Sequence, residues 1–143
     1  EMGHVAGPEL DGRTIPYDVS LEGMVSKKKD FIGKRSLQKE AFTKADRQRV
    51  VGLVPTDRKS SIPEGSHLVL DKNAKLPNPK LGHVSSSCWS VENNNPFSLA
   101  IVHDGKNMIG KKLFALSPLK NTAIEVEIIS SHYVDHEGTR ARS

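Results

Sequence analysis

From Gln48 onward the chain falls into short apolar runs separated by Pro, Gly, Asn and Asp. The runs are RVVGLV (49–54), HLVL (67–70), GHVSSSCWS (82–90), LAIVH (99–103), KLFALS (112–117) and TAIEVEIIS (122–130). Each has strand length and is bounded by turn residues, and no helix long enough to cross over lies between them. Six such runs predict an antiparallel sandwich or small barrel. In the last one Ile124, Val126 and Ile128 alternate with Glu125 and Glu127, so one face is core and the other is wet. The segment GKNMIG (105–110) has two glycines but opens no long helix, and is expected to be a hairpin turn.

Before Gln48 the pattern differs. Residues 1–13 are rich in Gly, Pro and charge, with turn signals at Gly7-Pro8 and Asp11-Gly12. Residues 14–25 are mixed, with a possible short strand around 23–26. In residues 30–42, Leu37, Ala41 and Phe42 fall on one helical face, so a single helix is expected from Lys34 after Gly33. The polar TKADRQ that follows suits a connector. Ser85-Ser86-Ser87 and Asn93-Asn94-Asn95 are residue types that favour turns. The expected fold is therefore mostly β with a short α segment.

Composition narrows the functional classes. The 143 residues carry a formal charge of +4 and 5% aromatics. The only run of three cations, Lys27-Lys28-Lys29, is followed at once by Asp30 and suits a solvated turn better than a phosphate-tracking surface, which needs clustered cations and stacking rings. A barrel that binds nucleic acid is the weakest reading. No apolar stretch approaches the roughly 20 residues that span a bilayer, and the single cysteine, Cys88, favours a reducing, cytoplasmic setting. An opening on Glu1 fits a piece of a longer chain or a processed one.

Self-contained catalytic sets are missing from the pattern. Six histidines (His4, His67, His83, His103, His132 and His136) are scattered along the sequence without the convergent spacing of a metal site. Cys88 lies in a strand-like run beside Trp89, where a small buried thiol is the ordinary expectation. No Gly-x-Ser-x-Gly elbow is present.

A series of phrases carries more information: GPELDGRTIPYDVSL, KKKDFIGKRSL, RVVGL, IPEGSHLV, LGHVSSSCWS, NPFSLAIV and AIEVEIISSHYVDHEGTR. In this order they resemble the C-terminal third of the glycine-cleavage aminomethyltransferase superfamily. Residues 30–37 (DFIGKRSL) after a lysine run, with the ending VDHEG (134–138), look most like its sarcosine oxidase alpha-subunit branch. Dimethylglycine dehydrogenase and the aminomethyltransferase itself are the neighbouring branches.

The resemblance implies a small antiparallel six-stranded β-barrel at residues 46–143, preceded at 1–45 by the tail of an α+β folate-binding domain. It implies tetrahydrofolate as the ligand, in a channel where the parts of the transferase lobe meet, with the one-carbon unit from sarcosine oxidation passing to it to give 5,10-methylenetetrahydrofolate. The flavin and NAD sites of such a complex lie outside this chain, as does the family's catalytic carboxylate, so no catalytic residue is assigned here. Partners would be the upstream domains of the same subunit, the other subunits and folate, with no nucleic acid and no membrane. Expected folate contacts are His4 and Tyr17 in the leading segment and Tyr133 and Arg140 in the terminal one. Glu1 stands where an Arg-Leu-Glu phrase of the family would end, and Ala6 replaces the aromatic residue that the aminomethyltransferase branch has before the loop glycine. The alternative is a non-catalytic docking module for the other domains or subunits.

Overall fold

The computed structural model describes residues 10–73 and 80–142. Six strands close into an antiparallel barrel: β1 (Gln48–Pro55), β2 (His67–Val69), β3 (Gly82–Ser90), β4 (Asn95–His103), β5 (Lys112–Ser117) and β6 (Thr122–Ile129). Their order around the barrel is β1-β4-β3-β2-β5-β6, with β6 pairing back onto β1. Closure gives each strand a neighbour on both sides, and gives a chain of this size a core without a second layer. The mostly β, six-stranded antiparallel architecture is the expected one.

Period-two alternation fills the interior. Val51 and Leu53 of β1, Val84 of β3, Ala100 and Val102 of β4, and Val126 and Ile128 of β6 belong to one buried cluster. Ile62, from the loop after β1, joins the cluster at 1% exposure. Glu125 and Glu127 face outward on β6, as the alternation requires.

Several local expectations are overturned. The helix expected from Lys34 is two separate turns, α1 (Lys34–Leu37) and α2 (Glu40–Thr43). Neither buries a residue, so nothing repays the cost of extending a helix through Lys39, which is extended at φ −62°, ψ 142°. The strand expected around 23–26 is a 3₁₀ turn at Glu22–Met24. GKNMIG is no hairpin turn: its first residues form α3 (Gly105–Met108), which joins β4 to β5, and those two strands are not neighbours. β4 starts at Asn95 rather than Leu99, because only Asn93 and Asn94 are spent on the turn and Asn94 takes its left-handed position at φ 49°. Ser85 marks a bulge in β3, where its hydroxyl donates to the Leu99 carbonyl at 3.1 Å. Cys88 is exposed, not buried, because it lies beyond that bulge on the stretch of β3 leading to the turn.

Candidate functional site

The leading segment does not hang free of the barrel. Residues 14–21 form consecutive turns that bury Ile15 and Val19 and bring the Asp18 carbonyl to the Val50 amide at 2.7 Å. Asp18 is 9% exposed, a costly place for a carboxylate unless it is paired. Arg47, just before β1, supplies the partner: its Nε donates to Oδ1 at 2.9 Å and Nη2 to Oδ2 at 2.5 Å, a bidentate fork. The same guanidinium donates to the carbonyls of Ala41 (2.9 Å) and Arg13 (3.3 Å), and lies 5.2 Å from the Phe42 ring centroid. Hydrogen bonding to Asp18 raises the Arg47 pKa against a smaller opposing effect of burial. One side chain thus ties the leading segment, α2 and β1 together.

Two clefts flank this clamp. One, of about 590 Å³, lies between α1–α2 and the start of β1, with Tyr17, Leu37 and Phe42 as apolar wall and Lys44, Arg49 and Lys106 as cations. Such a volume and mix suit a small-molecule site. The other, of about 520 Å³, runs between the leading segment and the outer face of β1, β3 and β4, where Val50, His83, Ile101 and His103 line it. Asp18 and Arg47 border both. Beneath the first cleft Arg49 pairs with Glu22. Burial acts to raise the Glu22 pKa, but its own backbone amide, Arg49 and Lys106 outweigh that and leave it lowered.

The terminal segment crosses back toward the leading one. The Ser131 hydroxyl donates to that of Ser20 at 3.4 Å, and His132 and His136, with ring centroids 5.2 Å apart, line a cavity of about 350 Å³ with Glu22 and Arg49.

Of the expected folate contacts, His4 lies outside the described residues. Tyr17 is half-buried on the 590 Å³ cleft. Tyr133 is elsewhere: its ring stacks on Phe97 at 4.8 Å and 4°, and its hydroxyl exchanges hydrogen bonds with the Asn95 amide at 3.0 and 3.1 Å. Arg140 pairs with Glu92 at 2.7 Å. Both therefore fasten the terminal segment to the β3–β4 hairpin, and the fold does not bring them to Tyr17. Sequence reasoning passed over Arg47, which it left inside a polar connector. The available signal was Asp18 among Ile15, Pro16 and Val19, an acid in an apolar setting that needs a cation. Histidines that look scattered in sequence are partly gathered, since His67, His83 and His103 line one cavity. Among the described residues no group of three or more His, Cys, Asp or Glu is placed to hold a metal ion.

Residues 48–135, from the first strand into the terminal segment, match the glycine cleavage T-protein C-terminal barrel domain. The chain belongs to that family. Within it, the chain is 33% identical over 141 residues to the sarcosine oxidase subunit alpha of Rhizobium meliloti (strain 1021), covering 98% of this chain and 14% of that protein. It is also 33% identical over 138 residues to the sarcosine oxidase subunit alpha of Corynebacterium sp. (strain P-1), covering 95% and 14%. The chain thus spans about one seventh of the length of these curated relatives. A solved structure, the glycine cleavage system aminomethyltransferase T from Bartonella henselae, shares the fold with a TM-score of 0.60 at 22% identity, over 85% of this chain and 32% of that one. The similarity to the two alpha subunits extends beyond the barrel family's 48–135, so it takes in the leading segment and its clamp as well. No helix among the described residues is long and apolar enough to cross a membrane.

Proposed function

We propose that this chain is the C-terminal part of a sarcosine oxidase alpha subunit, and that residues 1–45 and the barrel at 46–143 form one wall of a tetrahydrofolate site. There the one-carbon unit released by oxidative demethylation of sarcosine is transferred to give 5,10-methylenetetrahydrofolate. The observation that carries the reading is the similarity to sarcosine oxidase alpha subunits across nearly the whole chain, leading segment included.

The geometry is compatible with the ligand. The Tyr17 cleft offers an apolar wall for a planar ring system, a phenol for its polar edge, and Lys44 and Lys106 for carboxylates at its far end. In this reading Tyr17 touches folate and Arg47 positions the wall that carries it, whereas Tyr133 and Arg140 act by holding the terminal segment in place. His4 retains its proposed role as a contact from the leading segment. The chain's part is to bind and orient; the reacting carboxylate, flavin and NAD belong to other parts of such a complex, in the cytoplasm.

Calorimetric titration with tetrahydrofolate under reducing conditions tests this. Saturable binding, weakened about tenfold by Tyr17→Ala with the fold intact by circular dichroism, is expected. No detectable heat would remove the folate wall and leave the docking reading. That second reading has its own support: Met24, Ile32, Val91 and Leu119 are large apolar side chains left exposed, as on a surface that other domains or subunits cover.

A further inference from the structure

The three histidines gathered on the barrel have no part in the folate reading. His67 on β2 and His83 on β3 are directly opposed in register, so both side chains stand on one face of the sheet. Val84 and Leu68, their neighbours, belong to the core, which puts the two imidazoles on the outer face. His103, at the end of β4, is carried alongside by the bond from its amide to the Leu81 carbonyl at 2.7 Å, and its Nε2 lies 3.4 Å from the Gln48 amide nitrogen. Lys80 completes the rim of a cavity of about 420 Å³.

Gly65 and Gly82 supply the remaining lining and no side chain to fill the space. Gly82 could not be otherwise, because a Cβ there would sit 2.0 Å from the Ile101 carbonyl oxygen. Among the described residues no carboxylate lines this cavity. In the adjoining cleft Asp18 is held by Arg47 and Asp11 by Arg13, which leaves Asp46 as the remaining acid on that lining. His67 shows the imbalance. Its Nδ1 is buried with no hydrogen-bond partner, and its pKa is lowered, first by burial and then by the charges of Lys80 and His83. Imidazoles and an ammonium that repel one another around an open cavity form a receptor for negative charge.

We propose that this cavity is an oxyanion site for a carboxylate- or phosphate-bearing small molecule. Lys80 supplies charge, and His67, His83, His103 and the Gln48 amide supply hydrogen bonds. An anion seated there turns the mutual repulsion into attraction, so binding opposes the lowering of the His67 pKa.

The test uses the 143-residue chain with inorganic phosphate alone in one arm and glutarate alone in the other, at constant ionic strength so that general screening does not vary. Long-range ¹H–¹⁵N spectra follow each imidazole, with His136, outside the cavity, as internal control. The site predicts saturable shifts of His67 and His83 but not of His136, a rise in the His67 pKa, and about tenfold weaker binding in Lys80→Gln and His83→Gln. Saturation in only one arm supports the site and assigns the group it takes. Absence of saturation in both arms, or shifts that persist unchanged in Lys80→Gln, would overturn it. Lys80 is exposed, so that variant keeps its fold and the result stays interpretable.

Discussion

Arg47 concentrates more of this structure than any other described side chain, with four partners on two segments besides its own. Removing it strands Asp18, whose second role is to accept from the Ile15 amide at 3.1 Å. Full burial would make the loss 3–5 kcal/mol; with the pair's side chains 24% and 11% exposed, about 2 kcal/mol is expected for Arg47→Met. Arg47→Lys should recover less than half, since an ammonium cannot make the fork. Urea denaturation measures both, and equal stability of the Met variant and the parent would contradict the clamp. Asp57 offers a pH counterpart. Hydrogen bonds from the Ser60 hydroxyl, then the Ser60 and Lys59 amides, lower its pKa from 3.8 to about 2. A depressed carboxylate stabilises the fold fully above its unfolded value and loses that contribution as pH falls through the folded one. Titration of the Asp57 carboxyl carbon by NMR should therefore give a midpoint near 2; one at the ordinary value would show that the turn is not closed in solution. Asp18 in its apolar setting signalled the need for a cation, but not that Arg47, 29 residues away, would supply it, because that depends on where the turns place the partner.

At the scale of elements, strands were legible and their partners were not. A run such as VVGLV advertises itself by branched side chains and flanking turn residues, but nothing in it says that β1 will pair with β4 and β6. The expected single helix failed for the converse reason: its apolar positions were spaced for a face, but the fold only half-buries Leu37 and Phe42 and fully buries no residue of either turn. Glycines in strands record close approach between neighbours that only topology reveals. At Gly82 a methyl would meet Ile101 and Val102 backbone at 2.0 and 2.9 Å. Gly82→Ala should thus cost about 3 kcal/mol or prevent folding, as overpacking against backbone cannot relax by rotamer change. Gly12→Ala, with nothing within 4 Å, should be near neutral. Comparable melting temperatures for the two variants would refute the β3–β4 geometry.

For the whole molecule, the family was legible because several phrases recur in order, and the barrel followed from it. The site was less so. Tyr17, Tyr133 and Arg140 are linked by no sequence pattern, and the fold sends the last two to the β3–β4 hairpin while keeping Tyr17 on a cleft. The central claim is that the clamped leading segment and the start of the barrel form a wall of a folate site. Hydrogen exchange of the chain with and without saturating tetrahydrofolate tests it most directly, because it locates the ligand as well as detecting it. Slowed exchange across residues 14–21 and 41–49, with the β3–β4 turn at 91–94 unchanged, is the predicted result. No change anywhere, or protection confined to the hairpin and terminal segment, would contradict the claim.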